Sequence, residues 1–266
     1  MGFSIEGKTA IVTGSANGVG LAIARHFINK GANVMFADMD EDSLIKECGA
    51  DCDDGNMRYF AGDLRERLTL ANLLSATLDA FDRVDILVNG SRQIIPSSPL
   101  DLNDGSVEQM LTQNLMTSLR LSQLVAKRMI KQSKDQSEGH AGSIVNLSSI
   151  AARRTHPELL GYSLSCAALD QMTRSLAVAL APNRIRVNSV AFGSVMSASL
   201  KDILRDNKEY RTDIEQHTPL GRIAAPEELT DAVQFLASEG ASFVTGQIMT
   251  VDGGRTLLDP VAAPVH

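Results

Sequence analysis

The stretch Lys8–Gly20, KTAIVTGSANGVG, decides the fold of this 266-residue chain. Thr9–Val12 is a short apolar run bounded by a glycine, which is typical of a buried strand, and Leu21–Lys30 continues at helical spacing. The sequence therefore predicts that a strand enters a helix through a glycine turn, as at the start of an alternating α/β fold.

Three glycines in this turn favour binding of a nucleotide diphosphate. Gly14, Gly18 and Gly20 let backbone N–H groups approach a phosphate without interference from a Cβ, and the next helix points its positive end at the anion. Their spacing is G-x-x-x-G-x-G. Because glycine turns also form for structural reasons alone, the motif by itself leaves both interpretations open.

Asp38 strengthens the nucleotide interpretation and favours NAD. It follows a predicted second strand, Asn33–Ala37, about twenty residues after the glycines, where a carboxylate accepts hydrogen bonds from an adenosine ribose. The same carboxylate would repel the 2′-phosphate of NADP, and neither Ser15–Asn17 nor Met39–Asp40 contains an Arg or Lys. The alternative is a solvated aspartate at the end of a strand.

Composition and charge exclude several other classes of protein. A hydrophobic content of 44% allows one large core, so we expect a single domain over residues 1–266. The formal net charge of −7 argues against a nucleic-acid partner. Without a bilayer-length apolar run or a signal peptide, we expect a cytoplasmic protein and no membrane association. Cys48, Cys52 and Cys166 are expected to be reduced thiols, and no metal site is expected.

Strands and helices alternate along the whole chain. The remaining strands are predicted at Met57–Ala61, Val84–Val88, Ser143–Leu147, Arg184–Val190 and Gln247–Val251. Helices are predicted at Glu41–Cys48, at Leu64–Phe81, from Ser106 to about Lys131, at Tyr162–Leu180 and from Pro226 onward. Residues 194–218 are polar and are expected to form an irregular lid over a pocket. This alternation predicts a Rossmann-type α/β fold, a doubly wound parallel seven-stranded sheet with helices on both faces.

Several motifs, taken in order, resemble those of the short-chain dehydrogenases/reductases. The matching residues are Thr13–Gly20, Asp38, Asp63–Leu64, Ser149, Tyr162, Arg186–Asn188 and Val251–Gly254. The resemblance extends from Lys8 to about Leu257. It implies an NAD(H)-dependent oxidoreductase that interconverts a small alcohol and its carbonyl compound, assembled as a homo-oligomer, either a tetramer or a dimer.

The resemblance also assigns roles to individual residues. It implies that Tyr162 acts as general acid or base, and that Ser149, thirteen residues earlier, hydrogen-bonds the substrate oxygen. Asn114 matches an asparagine that supports a chain of water molecules. The implied cofactor-binding residues are Gly14, Ser15, Asn17, Gly18, Val19, Gly20, Asp38, Asp63, Leu64, Asn89, Tyr162, Gly193 and Val195.

One departure from the family pattern concerns the tyrosine itself. The family carries a lysine four residues after the tyrosine, whereas this chain has Cys166, a thiol without positive charge. A neighbouring opposite charge lowers a pKa by about 1–3 units, so its loss reduces the phenolate population roughly 10- to 1000-fold. Since enzymes accelerate reactions by about 10⁶-fold or more, this loss is compatible with a slow enzyme.

Further departures lie near the same end of the expected cofactor. Arg92 stands where the family has the last glycine of N-N-A-G; an exposed loop arginine is the favoured interpretation, and a cation for the diphosphate or the site is the alternative. Phe192 replaces a proline, and Ser197 stands where a threonine often contacts the carboxamide. Arg153 and Arg154 are interpreted as a solvated basic loop, or alternatively as cations for an acidic substrate or for the tyrosine.

These observations leave two functional hypotheses. The first is an NAD(H)-dependent oxidoreductase, slow because the family lysine is absent. The alternative is a catalytically inactive NAD(H)-binding scaffold or sensor protein on the same fold, because fold does not determine function.

Overall fold

The structure, a computed structural model, describes residues 2–49, 55–136, 138–259 and 261. Across those residues, seven strands form one sheet in which every neighbouring pair is parallel. The strands are β1 (Thr9–Thr13), β2 (Asn33–Asp38), β3 (Met57–Ala61), β4 (Ile86–Asn89), β5 (Gly142–Ser149), β6 (Ile185–Phe192) and β7 (Ile248–Val251). Their order is β3-β2-β1-β4-β5-β6-β7, so the winding reverses between β1 and β4. In open α/β sheets, ligands bind beyond the carboxyl ends of the strands at such a reversal.

Helices cover both faces of this sheet, which confirms the predicted fold class. The α-helices are α1 (Gly18–Asn29), α2 (Glu41–Cys48), α3 (Arg67–Phe81), α4 (Ser106–Met110), α5 (Thr117–Gln132), α6 (Leu160–Leu180), α7 (Ala198–Asp206), α8 (Lys208–Gln216) and α9 (Thr230–Ala237). In β1, Ala10 and Val12 join one buried cluster with residues of α1 and α9, whereas Ile11 joins a second cluster with residues of α3, α5 and α6. The alternation follows from the period of two along a strand.

Strands β5 and β6 are longer than the sequence predicted. They pair over their full length and include the pairs Ser148 with Ala191 and Ser149 with Phe192. A pair of serines usually indicates a turn, so the prediction ended β5 too early. The extra pairs carry Ser149 and Phe192 to the same edge of the sheet, the edge at which a ligand is expected.

The prediction of irregular structure at residues 194–218 was wrong, because α7 and α8 lie there. Helix α7 begins at the cap Ser197, whose Oγ accepts a hydrogen bond from the Leu200 N–H at 3.2 Å. Helix α8 has no buried residue and carries an ion pair between Arg211 and Glu215. In this nine-residue helix Tyr210 and Ile214 are the only large apolar residues, so its apolar stripe is too short to be recognised from the sequence.

Two other findings bear on the earlier expectations. Cys52 lies outside the described residues, and Cys166 forms no disulfide with another described residue. Over the described residues, no helix combines the length and the apolar character needed to cross a membrane.

Candidate active site

The glycine turn lies between β1 and α1, and its three glycines serve different purposes. A Cβ on Gly14 would lie 2.6 Å from the Gly90 carbonyl oxygen, and a Cβ on Gly20 would lie 2.0 Å from the Gly14 carbonyl oxygen. These two glycines are therefore required by packing within the protein itself. Gly18, with φ of +57°, is less crowded, since the nearest atom to its hypothetical Cβ is the Ser197 Cβ at 3.7 Å, an ordinary van der Waals distance. Packing therefore requires glycine at positions 14 and 20, whereas at position 18 it is the positive φ that favours glycine.

Asp38 holds this turn through backbone groups. Its Oδ2 accepts a hydrogen bond from the Ala16 N–H at 3.1 Å, and its Oδ1 accepts from the N–H groups of Met39 and Asp40 at 2.7 and 3.2 Å. All three donors are uncharged. The half-buried carboxylate therefore presents a negative charge beside the turn, as a ribose-binding residue requires.

The other predicted cofactor residues divide into two groups. Ser15, Leu64, Val19 and Val195 are buried, and Asn17 is exposed before the first turn of α1.

Asp63 and Asn89 are already engaged by the protein. The Arg65 guanidinium donates hydrogen bonds to both carboxylate oxygens of Asp63 and thereby lowers the pKa of that carboxyl. The Asn89 Nδ2 donates to Ser122 Oγ at 3.0 Å and to Asn146 Oδ1 at 2.8 Å, inside the core. The Asn89 side chain therefore joins β4 to β5 and α5. Gly193, at the end of β6, packs against Asp252 of the chain beyond β7.

The three predicted catalytic residues come together at the carboxyl edge of the sheet. Tyr162, in the first turns of α6, is 4% exposed, and Ser149, at the end of β5, is 9% exposed. The Ser149 Oγ accepts a hydrogen bond from the Ala151 N–H, and the Ser149 side chain favours ionisation of the Tyr162 phenol. Asn114 and Tyr162 line a small cavity, whose volume of about 10 Å³ corresponds to about one water molecule.

Asn114 lies in a turn of π-helix, Leu111–Met116, between α4 and α5. The predicted long helix is therefore interrupted, and such interruptions occur frequently at functional sites. The Asn114 Nδ2 donates hydrogen bonds to the Gln93 carbonyl and to Ser165 Oγ, both at 3.0 Å, and its Oδ1 accepts from the Gln93 N–H at 2.8 Å. Asn114 thus joins the connection after β4 to helix α6.

Cys166 and Asp170 follow Tyr162 on the same side of α6, at intervals of four residues. Burial raises the pKa of the Cys166 thiol to about 11, so this thiol is uncharged near neutral pH. Burial also raises the pKa of the Asp170 carboxyl, whose Oδ1 has no hydrogen-bond partner among the described residues. Neither residue brings a positive charge to Tyr162.

Arg92 lies closer to the candidate catalytic residues than the favoured interpretation of an exposed loop arginine predicted. The residue as a whole is exposed, as favoured, but its Nη1 donates a hydrogen bond to Tyr162 Oη at 3.1 Å and its Cζ lies 4.3 Å from the centre of the Phe192 ring. Burial raises the pKa of the Tyr162 phenol, and the positive charge of Arg92 opposes that rise. The available signal was that sequence analysis placed its predicted departures from the family pattern at Arg92, Phe192 and Cys166, at one end of the expected cofactor.

Arg153 and Arg154, which follow β5, contact β7 and the segment just after it. The Arg153 Nη1 donates to Thr250 Oγ1 at 3.1 Å, and the Arg154 guanidinium donates to the Thr256 carbonyl. Both arginines remain exposed, in agreement with the favoured interpretation. Neither is bonded to Tyr162.

Comparisons with known proteins agree with this architecture. Residues 14–256 match the family model described as enoyl-(acyl carrier protein) reductase. The L-rhamnose 1-dehydrogenase (NAD(P)(+)) of Sphingomonas sp. is 34% identical over 252 residues, which are 94% of this chain and 96% of that protein.

Solved structures give the same result. The gluconate 5-dehydrogenase of Burkholderia cenocepacia, in complex with NADP and tartrate, superposes with a TM-score of 0.87 at 26% identity and covers 97% of this chain and 98% of its own. A 7α-hydroxysteroid dehydrogenase complexed with NADH and 7-oxo glycochenodeoxycholic acid has a TM-score of 0.85 at 31% identity, with 95% and 96% of the two chains covered. These relatives are dehydrogenases and reductases that use NAD or NADP. The chain belongs to the short-chain dehydrogenase/reductase family and is an oxidoreductase of that family by its relatives.

Proposed function

We propose that the chain, as one domain over residues 1–266, interconverts a small alcohol and its carbonyl compound with NAD(H). The observation that carries this proposal is the juxtaposition of the Ser149 and Tyr162 hydroxyls at the carboxyl edge of the sheet. The glycine turn lies at the same edge, because the Thr13 hydroxyl accepts hydrogen bonds from the N–H groups of Gly90 and Ser91 at 3.0 and 3.1 Å. The segment after β4 thus contacts both the glycine turn, through Gly90 and Ser91, and Tyr162, through Arg92.

NAD fits the residues at the turn better than NADP does. Gly18 lacks the Cβ that would stand between an approaching diphosphate and the backbone, and the Asp38 carboxylate is bonded only to backbone N–H groups in its recorded contacts. A 2′-phosphate beside this carboxylate would be repelled, since two like charges about 4 Å apart interact unfavourably by about 1–4 kcal/mol. When bound, NAD(H) supplies or accepts the hydride at the substrate carbon.

The chain's own residues handle the proton. In the reduction direction, Tyr162 Oη–H gives its proton to the carbonyl oxygen, and the resulting phenolate takes a proton back from solvent. In the oxidation direction, the Tyr162 phenolate takes the proton of the alcohol. Ser149 Oγ–H orients the substrate oxygen. Cys166 stands where the family has lysine, so we propose that turnover is slower than in relatives that retain the lysine.

Turnover measurements test this proposal. The protein is titrated with NADH and then screened for oxidation of small alcohols and reduction of ketones from neutral to alkaline pH. Because burial raises the pKa of Tyr162, we expect oxidation to become faster as pH rises through the alkaline range. NADH binding without turnover on any substrate of this class would contradict the enzymatic proposal.

The alternative is an inactive NAD(H)-binding scaffold or sensor. The observations that favour it are the deep burial of Tyr162 and the small size of the cavity beside it. On this alternative the parent protein binds NADH without turnover, whereas a Cys166→Lys variant gains dehydrogenase activity. Measurable turnover by the parent protein excludes this alternative.

We further propose a cytoplasmic homo-oligomer, a tetramer or dimer, with no nucleic-acid partner. Exposed apolar side chains at Leu164 and Val178 of α6 and at Phe243 support the existence of a subunit interface. The net charge of −7 supports the absence of a nucleic-acid partner. Light scattering after size exclusion measures the assembly state, and a monomer at micromolar concentration would contradict it.

A further inference from the structure

The guanidinium of Arg92 is fixed in the active site by two contacts of different kinds. Its Nη1 donates to Tyr162 Oη at 3.1 Å, and its planar head lies over the Phe192 ring at 4.3 Å from the ring centre. A guanidinium over an aromatic face is favourable, and arginine stays protonated at every pH at which proteins fold. A permanent positive charge therefore lies against the phenol oxygen.

The backbone on both sides of Arg92 is also held. Before it, the N–H groups of Gly90 and Ser91 donate to the Thr13 hydroxyl at the glycine turn. After it, Gln93 is bound through both its N–H and its carbonyl to the Asn114 side chain. The backbone that carries Arg92 is thus held by Thr13 at the end of β1 and by Asn114 of the π-helical turn. The guanidinium therefore extends from a fixed segment and not from a loose loop.

The other groups that face the Tyr162 oxygen carry no positive charge. From α6 comes the Cys166 thiol, and from the end of β5 comes the Ser149 hydroxyl. The Asp170 carboxyl, one turn further along α6, acts on Cys166. Cys166 acts against ionisation of the phenol, while Ser149 favours it by hydrogen bonding. Among the described groups that act on this phenol, Arg92 supplies the positive charge.

We propose that Arg92 supplies, from the connection after β4, the positive charge that the family's lysine supplies from helix α6, and thereby stabilises the Tyr162 phenolate. This inference rests on the proposed function, in which Tyr162 exchanges a proton with the substrate. Arg92 acts through Tyr162, and Asn114 acts as the positioning residue of Arg92. On this proposal the three departures from the family pattern belong together: Cys166 removes the positive charge of the lysine, Arg92 supplies another, and Phe192 holds the Arg92 guanidinium.

The first test measures ionisation directly and needs no substrate. Tyrosine is replaced throughout by a fluorotyrosine, whose more acidic phenol titrates while the protein is folded, and fluorine NMR follows each residue. The chain has three tyrosines, and the Tyr162→Phe variant identifies the resonance of Tyr162. We expect Arg92→Gln to raise the pKa of Tyr162 by about 1–3 units and Arg92→Lys to retain part of the effect.

The matched control is Arg153→Gln, which removes a nearby exposed arginine that is bonded to Thr250 and not to Tyr162. Arg153→Gln should leave the pKa of Tyr162 unchanged. The proposal is overturned if Arg92→Gln leaves the titration unchanged, or if Arg153→Gln moves it as far.

The second test combines Arg92→Gln with Cys166→Lys and measures kcat/KM as a function of pH. If Arg92 replaces the lysine, Cys166→Lys should restore the turnover of Arg92→Gln by about tenfold or more, one pKa unit of phenolate population. In the parent background the same substitution should give a smaller gain, because a second cation there repels the first. Equal gains in both backgrounds would show that the two positions act independently and would overturn the proposal.

Two outcomes distinguish failure of the proposed function from failure of the inference about Arg92. If Arg92→Gln shifts the fluorine titration but no variant turns over any substrate, the proposed function fails while the electrostatic role of Arg92 stands. If Arg92→Gln raises turnover and tightens NADH binding, the guanidinium blocks the site, and the inference about Arg92 fails while the proposed function stands.

Discussion

The two ends of the proposed cofactor site differ in composition: one depends mainly on backbone groups and the other on side chains. At the nucleotide end, the glycine turn and Asp38 work through backbone geometry, and the carboxylate is held by three backbone N–H groups. At the reacting end, the side chains of Tyr162, Arg92 and Cys166 line a cavity of about 10 Å³. A site built from the backbone excludes side chains that would clash with it, as at Gly14 and Gly20, so it can be recognised from a sequence motif. A side-chain site needs a charge near an oxygen, and that charge can come from another element of the fold.

The largest effect that sharpens this comparison is expected at Tyr162. Tyr162→Phe should lower kcat/KM by about 10²- to 10⁴-fold, because it removes the proton-transferring group, and should leave NADH affinity nearly unchanged. Steady-state kinetics and an NADH titration measure the two quantities. The control is Tyr210→Phe, which alters an exposed tyrosine of α8. Loss of NADH binding in Tyr162→Phe would show that the two ends are not separable.

The second prediction concerns the buried thiol at the reacting end. The pKa of Cys166 rises from 9.0 to about 11 in the folded protein, so the folded state holds its proton more tightly than the unfolded state does. The associated stability is fully present below pH 9 and is lost as pH rises to about 11, by about 2–3 kcal/mol. Cys166→Ala should flatten this part of the pH dependence in urea unfolding experiments.

Cys48→Ala serves as the control for that experiment, since Cys48 lies in α2, away from Tyr162. It removes a thiol without touching the active site. If the parent protein and Cys166→Ala lose stability equally between pH 9 and 11, the buried thiol does not contribute as stated.

The third prediction tests the backbone character of the nucleotide end. Gly20→Ala places a Cβ 2.0 Å from the Gly14 carbonyl oxygen, so it should lower the free energy of unfolding by about 1–3 kcal/mol and weaken NADH binding. Gly105→Ala is the matched control, because a Cβ there meets no atom within 4 Å. Urea unfolding and NADH titration measure both effects. An unchanged Gly20→Ala variant would mean that the turn adapts to a side chain.

The smallest expected effect concerns the choice of cofactor. Asp38→Asn should lower the preference for NAD over NADP by about tenfold, since it removes the charge that repels the 2′-phosphate. Asp40→Asn is the control, because Asp40 caps α2 through the Ser43 N–H. Ratios of kcat/KM for the two cofactors give the answer. An unaltered ratio in Asp38→Asn would assign the preference to other residues.

The sequence by itself determined the seven-stranded parallel sheet, the glycine turn, and the order of Ser149 and Tyr162 along the chain. These features follow from local patterns: a period of two in strands, an apolar stripe in helices, and residues at fixed spacing. Local patterns did not reveal helix α8, in which Tyr210 and Ile214 are the only large apolar residues, or the π-helical turn around Asn114.

Only the tertiary structure decided where the charge in the active site comes from. Arg92 and Tyr162 are 70 residues apart in the chain, and their contact depends on how the connection after β4 is held by Thr13 and Asn114. No spacing rule describes such a contact, because it joins two elements whose relative position is set by packing across the sheet. The resemblance to the family predicted that a lysine is replaced by Cys166, but the fold was needed to show that Arg92 lies against the phenol.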